Sequence, residues 1–240
     1  MTGSNLHGSR QADDTHSVGA AFFDVDETLI SLKSMQSFLD YYFASDSLRG
    51  TPWQCFQKTI EGLPREEGNR AYYRLWEGQR LTELAEAGRT WFEIQTRRDD
   101  FFIGPAIDAF VEHRRAGRRV FLVSGSFHPC LDPLADRLGA TGVFCTELVE
   151  RAGALTGDIV QSRIGEGKRL AVEEALATCG IRHVETWAYG DHLSDLPMLH
   201  AVRHPVAVRP EPQLKLVAEQ NNWTILPARA TLSEATWGRS

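Results

Sequence analysis

The chain has 240 residues, 42% of them hydrophobic, enough for one full α/β domain with a smaller insertion and a sizeable core. Its formal net charge is −6 and its basic residues are scattered, which argues against a nucleic-acid partner, since such surfaces mass lysine and arginine against phosphate. No run reaches the roughly 18 apolar residues that cross a bilayer, and the N-terminus lacks the apolar centre of a secretory signal, so a soluble cytoplasmic protein with no membrane partner is expected.

Residues 1–17 are rich in Gly, Ser, Asp and His without hydrophobic periodicity and read as a disordered leader. Residues 18–23 are continuously apolar, which suits a buried parallel strand, and end in the acidic turn Asp24-Val25-Asp26-Glu27-Thr28. From Ser34 to about Asp100, Met35, Phe38, Leu39 and Tyr42, then Leu84, Trp91 and Ile94, recur at helical spacing. They predict a helical insertion whose aromatics (Trp53, Phe56, Tyr72, Tyr73, Trp76) form its own packing. Further strands are expected over 119–123 and 186–189, with shorter ones over 142–145, 205–208 and 223–226. Helices over 105–116, 129–138 and 168–178 separate most of them, stopping at or near Gly117, Gly139 and Gly180. This alternation implies an α/β fold: a Rossmann-like, mainly parallel sheet flanked by helices on both faces. A β-hairpin projecting from the sheet is expected where 147–151 and 154–160 flank Gly153. The expected division is a core of 18–32 and 101–226, a helical domain of 33–100 and a tail of 227–240. Cys55, Cys130, Cys145 and Cys179 show no metal-ligand spacing and read as thiols.

Two carboxylates two residues apart, where a hydrophobic strand opens into a loop, have no use in packing. Ligands of open parallel sheets bind at such strand ends, so Asp24 is a candidate nucleophile and Asp26 a candidate general acid and base. A second acidic pair, Asp191 and Asp195, ends the apolar run Trp187-Ala188-Tyr189-Gly190. Two acidic loops imply one shared cation, and Mg²⁺ takes carboxylate oxygens together with substrate phosphate. Asp24 and Asp191 are the expected ligands, and Asp195 orients ligands or Lys168. Ser124-Gly125-Ser126 follows another apolar run just before a helix, where a hydroxyl and backbone N–H groups suit an anion. Lys168 opens a helix after Gly165 and Gly167 and can neutralise charge on a transferring group.

The ordered set DxDxT at Asp24, Asp26 and Thr28, then Ser124, Lys168 and Gly190-Asp191 to Asp195, resembles the four motifs of the haloacid dehalogenase superfamily. The helical insertion and the stretches SGSFHPCLDPLADRLGA and TELVERAGALTGDI resemble its phosphoserine-phosphatase-like branch, with a C1-type cap. The resemblance implies a phosphatase that acts on a small phosphorylated metabolite, with Asp24 as nucleophile and metal ligand. It implies that Asp26 is the acid/base and offers its backbone carbonyl to Mg²⁺, that Asp191 is a further ligand, and that Ser124, Gly125 and Lys168 bind phosphate, with Thr28 and Asp195 behind them. An acid at Asp26 disfavours dehalogenation and ion transport. Phosphoserine phosphatases place a Glu nine residues after the nucleophile to receive the substrate ammonium. This chain has Lys33 there, which points to a substrate with an acidic or hydroxyl-rich end. Arg49, Arg65, Arg70 and Arg74 are further specificity candidates, and His192 stands where relatives carry a small residue. The rival readings are a phosphotransferase using the same phosphoenzyme and a silent phospholigand-binding protein. Oligomeric state is left open.

Overall fold

The computed structural model describes residues 19–44 and 50–227. The expected leader, Val18, Arg49 and the tail beyond residue 227 lie outside the described residues, as does the side chain of Arg65. In chain order the elements are β1 (Ala20–Phe23), α1 (Ser34–Tyr42), α2 (Pro52–Thr59), α3 (Arg65–Arg74), α4 (Leu81–Gln95), α5 (Gly104–Arg115), β2 (Arg119–Val123), α6 (His128–Leu138) and β3 (Gly142–Phe144). There follow β4 (Glu147–Arg151), β5 (Ala154–Gln161), α7 (Glu166–Cys179), β6 (Thr186–Gly190), α8 (Leu196–His200), β7 (His204–Val208), α9 (Pro212–Gln220) and β8 (Thr224–Leu226).

Six strands form one sheet in the order β3-β2-β1-β6-β7-β8, and every pairing in it is parallel. A strand with both faces covered cannot alternate apolar and polar residues, which is why β1 reads as the unbroken run Ala-Ala-Phe-Phe. Its even residues pack one way: Phe22 stacks on Phe121 at 5.4 Å, within a cluster that includes Val172, Met198 and Leu214 of α7, α8 and α9. Its odd residues pack the other way: Phe23 stacks on Tyr189 at 4.1 Å and meets Phe110 of α5. Each fully buried phenylalanine contributes about 2–3 kcal/mol, so β1 anchors both layers and fixes the level at which Asp24 emerges.

The helices between β1 and α5 share this second layer of core. Phe38, Tyr72, Trp76 and Trp91 form an aromatic cluster with Phe127, which caps the N-terminus of α6. Helices α4 and α6 cross where a Cβ on Gly88 would fall 1.9 Å from the Pro129 carbonyl oxygen, so the absent side chain is what admits the approach. The hairpin β4–β5 turns through Ala152 and Gly153, both at positive φ, as its two-residue connection requires. It does not project freely. Leu155 exchanges backbone hydrogen bonds with Gly78 and Gln79, so the hairpin buttresses the inserted helices. Among the described residues, no helix is long and apolar enough to cross a membrane.

Candidate functional site

Strand order reverses between β1 and β6, and the crevice outside the C-terminal ends of the strands there is the position in which open α/β sheets bind ligands. Asp24 follows β1, Ser124 follows β2 and Asp191 follows β6, three adjacent strands. All three residues line one cavity of about 360 Å³, together with Asp26, Gly125, Lys168 and Asp195.

After β1 the chain turns back sharply. Glu27 takes a left-handed φ of 62°, and the Val25 carbonyl accepts from the N–H groups of Thr28, Leu29 and Ile30. The turn brings Thr28 beneath the carboxylates, where its hydroxyl donates to Asp191 Oδ1 at 3.0 Å and lies 3.4 Å from Asp24 Oδ2. Helix α7 delivers Lys168 from the opposite side. A Cβ on Gly167 would sit 2.1 Å from the Ser162 carbonyl oxygen, so only glycine lets the helix start this close to the strand before it. Lys168 Nζ donates to Asp24 Oδ1 at 2.5 Å and to Asp195 Oδ1 at 2.6 Å. The other oxygen of Asp195 accepts from the backbone N–H groups of Asp191 and His192, which ties the β6 loop to the lysine. Gly190 makes this possible, since a Cβ there would lie 2.7 Å from Asp195 Oδ2.

Charge in this pocket is unbalanced. Burial raises the Asp24 carboxyl, with Lys168 opposing and Asp195 reinforcing the shift. Burial, with the charges of Asp24 and Asp195, pushes Asp191 up to about 9 against the Thr28 hydrogen bond. Burial and the Asp24 charge push Asp26 up to about 7, although the Ser34 backbone N–H and hydroxyl hold it back. Burial alone would lower Lys168, but Asp195 and Asp24 outweigh it and keep the ammonium charged. The carboxylates of Asp24, Asp191 and Asp195 bring oxygens within 4.8 Å of one another with one ammonium among them, a set short of positive charge.

The Ser124 loop is held from several sides. Ser124 Oγ accepts from the Ser126 N–H at 3.1 Å, which leaves its own proton to donate. The Gly125 carbonyl accepts from Tyr73 OH at 2.7 Å, Thr146 Oγ1 at 2.9 Å and Asn69 Nδ2 at 3.4 Å. Ser34, the first residue of α1, bonds Ser126 Oγ at 2.9 Å and so links the Asp26 turn to this loop. Sequence reasoning missed Ser34, Asn69, Tyr73 and Thr146. The signal for Ser34 was a serine opening a helix just after an acidic turn, where an unpaired N–H can meet a carboxylate; the others act across long separations that no local pattern encodes.

Lys33 caps α1 at the cavity mouth with its ammonium 3.4 Å from Glu27 Oε2. His192 also lines the cavity and meets Glu211 Oε2 at 3.3 Å. Arg70 and Arg74 are not among the cavity's lining residues.

A family model described as haloacid dehalogenase-like hydrolase matches residues 21–200. A probable phosphatase of Mycobacterium tuberculosis is 30% identical over 218 residues, 86% of this chain and 74% of that protein. A Bordetella pertussis protein of unknown function shares the fold at a TM-score of 0.75 and 25% identity, over 88% of this chain and 100% of the other. A phosphoserine phosphatase solved as its phospho-aspartyl intermediate analogue shares the fold at a TM-score of 0.64 and 20% identity, over 89% and 94% of the two chains. With the match running from β1 through the β6 loop to the end of α8, and so across every cluster residue, the chain belongs to the haloacid dehalogenase-like hydrolase family.

Proposed function

We propose that the protein is a Mg²⁺-dependent phosphatase that hydrolyses a small-molecule phosphate monoester through an aspartyl phosphate on Asp24. The observation that carries this reading is the convergence of Asp24, Asp26, Ser124 and Asp191 from three adjacent strand ends on one cavity, with Lys168 Nζ 2.5 Å from Asp24. Phosphatase relatives in the same family support the reaction class.

The donor set fits Mg²⁺: buried carboxylate oxygens within 4.8 Å, hard and short of positive charge. Asp24 and Asp191 would hold the ion with the Asp26 backbone carbonyl, while Asp195, its oxygens taken by Lys168 and two N–H groups, orients the Asp191 loop. Bound there, Mg²⁺ would offset the repulsion between a carboxylate nucleophile and an anionic ester.

In the first step an Asp24 oxygen bonds to phosphorus, the ester P–O bond breaks, and Asp26 gives its proton to the departing oxygen. With its carboxyl pushed up to about 7 by burial and the Asp24 charge, a sizeable fraction of Asp26 carries that proton near neutrality. In the second step Asp26, now a carboxylate, takes a proton from water as the water oxygen bonds to phosphorus. The bond to Asp24 then breaks, releasing phosphate. The Ser124 hydroxyl, the Gly125 N–H and the Lys168 ammonium hold the phosphoryl oxygens, and Thr28 steadies both metal-binding carboxylates. Residues 33–100 act as a cap on the core of 18–32 and 101–226. This cap faces the leaving group, excludes bulk water and bears on specificity through Lys33.

Phosphate release from an ester panel should require Mg²⁺ and fall by at least about 100-fold in EDTA, recovering when Mg²⁺ is returned. Equal rates with and without the chelator would remove the metal from this mechanism.

A further inference from the structure

Resting on that reading, we propose the substrate class: the phosphate monoester of an apolar alcohol of aromatic size that carries a neutral hydrogen-bond donor, such as a hydroxyl, one or two carbons from the ester oxygen. Two independent observations point to it.

The cavity wall facing the carboxylates is apolar. Met35, Trp53, Phe56, Ile60 and Leu63 line it. The rings of Trp53 and Phe56 lie 5.6 Å apart, and Phe56 meets Tyr72 edge-on at 6.0 Å. Leu63, 44% exposed, leaves apolar surface in water that a ligand would cover. The wall is preformed, since α2 starts with a Thr51–Gln54 capping box and Trp53 N–H donates to Asp40 Oδ1 at 2.6 Å. Lys168 and Lys33 are the lysines and arginines among the described lining residues, and each already faces a carboxylate. An acidic leaving group would therefore meet apolar rings with no spare cation, and a sugar would press unpaired hydroxyls against them.

The second observation is one buried acceptor. Asn69 is 8% exposed and lines the cavity, and its Nδ2 donates to the Gly125 carbonyl at 3.4 Å. With Nδ2 turned to that carbonyl, Oδ1 is left buried with no hydrogen-bond partner among the described residues. An unmet buried acceptor is costly, and a ligand donor would satisfy it. Asn69 touches the phosphate loop itself, so the donor belongs near the ester oxygen. This narrows the expectation drawn from Lys33: the hydroxyl is kept and an apolar group replaces the acidic end.

The test compares phosphate release by the Mg²⁺-loaded protein from 2-hydroxy-3-phenylpropyl phosphate, 3-phenylpropyl phosphate, phosphoserine and glucose 6-phosphate, with acetyl phosphate as an undemanding donor. The hydroxyl-bearing phenyl ester should exceed phosphoserine and glucose 6-phosphate in kcat/KM by about 100-fold and its deoxy analogue by about 10-fold. Asn69→Leu should erase the preference for the hydroxyl while keeping that for phenyl over sugar. Independently of turnover, the same ester should change the tryptophan fluorescence of Asp24→Asn, and Trp53→Phe in that background should remove the change. Asp24-dependent hydrolysis that prefers phosphoserine or glucose 6-phosphate would overturn the substrate class and leave the phosphatase reading standing. Acetyl phosphate hydrolysis that is equal in wild type and Asp24→Asn would overturn the reading itself. No turnover of any ester, with no Trp53 response, would overturn both.

Discussion

Asp24→Asn is expected to lower kcat/KM for phosphate release by at least about 10⁴-fold, because an amide neither attacks phosphorus nor leaves as a carboxylate. The substitution keeps the shape of the side chain: its one amide oxygen can still accept from Lys168, while the NH2 in place of Oδ2 can donate to the Thr28 hydroxyl oxygen. Burial already disfavours the charged form of Asp24, and Asp195 adds to the strain, so removing one negative charge should leave the melting temperature unchanged or raise it. Activity and stability therefore move apart in this variant. Steady-state kinetics and a thermal melt on one preparation test both. Retention of activity within 10-fold would contradict the assignment, and a collapsed melt would mean that Asp24 holds the fold.

The largest expected effect on stability is at Gly88. Glycine to alanine in an exposed helix interior gains up to about 1 kcal/mol. Here the added methyl would sit 1.9 Å from the carbonyl oxygen of Pro129 and 2.8 Å from its carbon, both backbone atoms that no rotamer change can move. Relief requires α4 to lift from α6, which loosens Leu84, Trp91 and Phe92 together. Gly88→Ala should therefore destabilise by about 3 kcal/mol, reversing the usual sign. Denaturant unfolding measures it; a neutral or stabilising result would mean that the two helices do not approach as closely as described. The same substitution should also blunt activity, because Trp91 of α4 holds α1 by donating to Ser37 Oγ at 3.0 Å, and Met35 and Gln36 of α1 line the cavity.

Much of the sheet was legible because burial on both faces leaves unbroken apolar runs. The runs over 119–123 and 186–189 match β2 and β6 within one residue, and Asp24, Ser124 and Asp191 stand where β1, β2 and β6 end. Glycine marked the helix ends for a steric reason: Gly139 and Gly180 take left-handed φ values of 67° and 63°, which residues with a side chain adopt at a cost. Short elements were harder to see. Helix α8 has five residues, and α9 lies on the surface between two strands, so neither offers enough turns for a period to stand out. The polar frame was hidden by sequence distance: Ser34 and Ser126 are 92 residues apart, and Tyr73 reaches Gly125 across 52. The hairpin was recognisable by its turn, but its docking on Gly78 and Gln79 depends on backbone pairing that residue types do not announce. The insertion was read as helices packed on their own aromatics. Phe127 stands at the centre of that cluster, joining insertion to core.

The central claim is a covalent phosphoryl group on Asp24. The most direct measurement is to quench turnover of a phosphate ester, reduce the protein with borohydride, which converts an aspartyl phosphate to homoserine, and map the modified residue by peptide mass spectrometry. The mechanism predicts homoserine at position 24, dependent on Mg²⁺ and on substrate. Modification elsewhere, or steady turnover with no modification at Asp24 at any quench time, would contradict it.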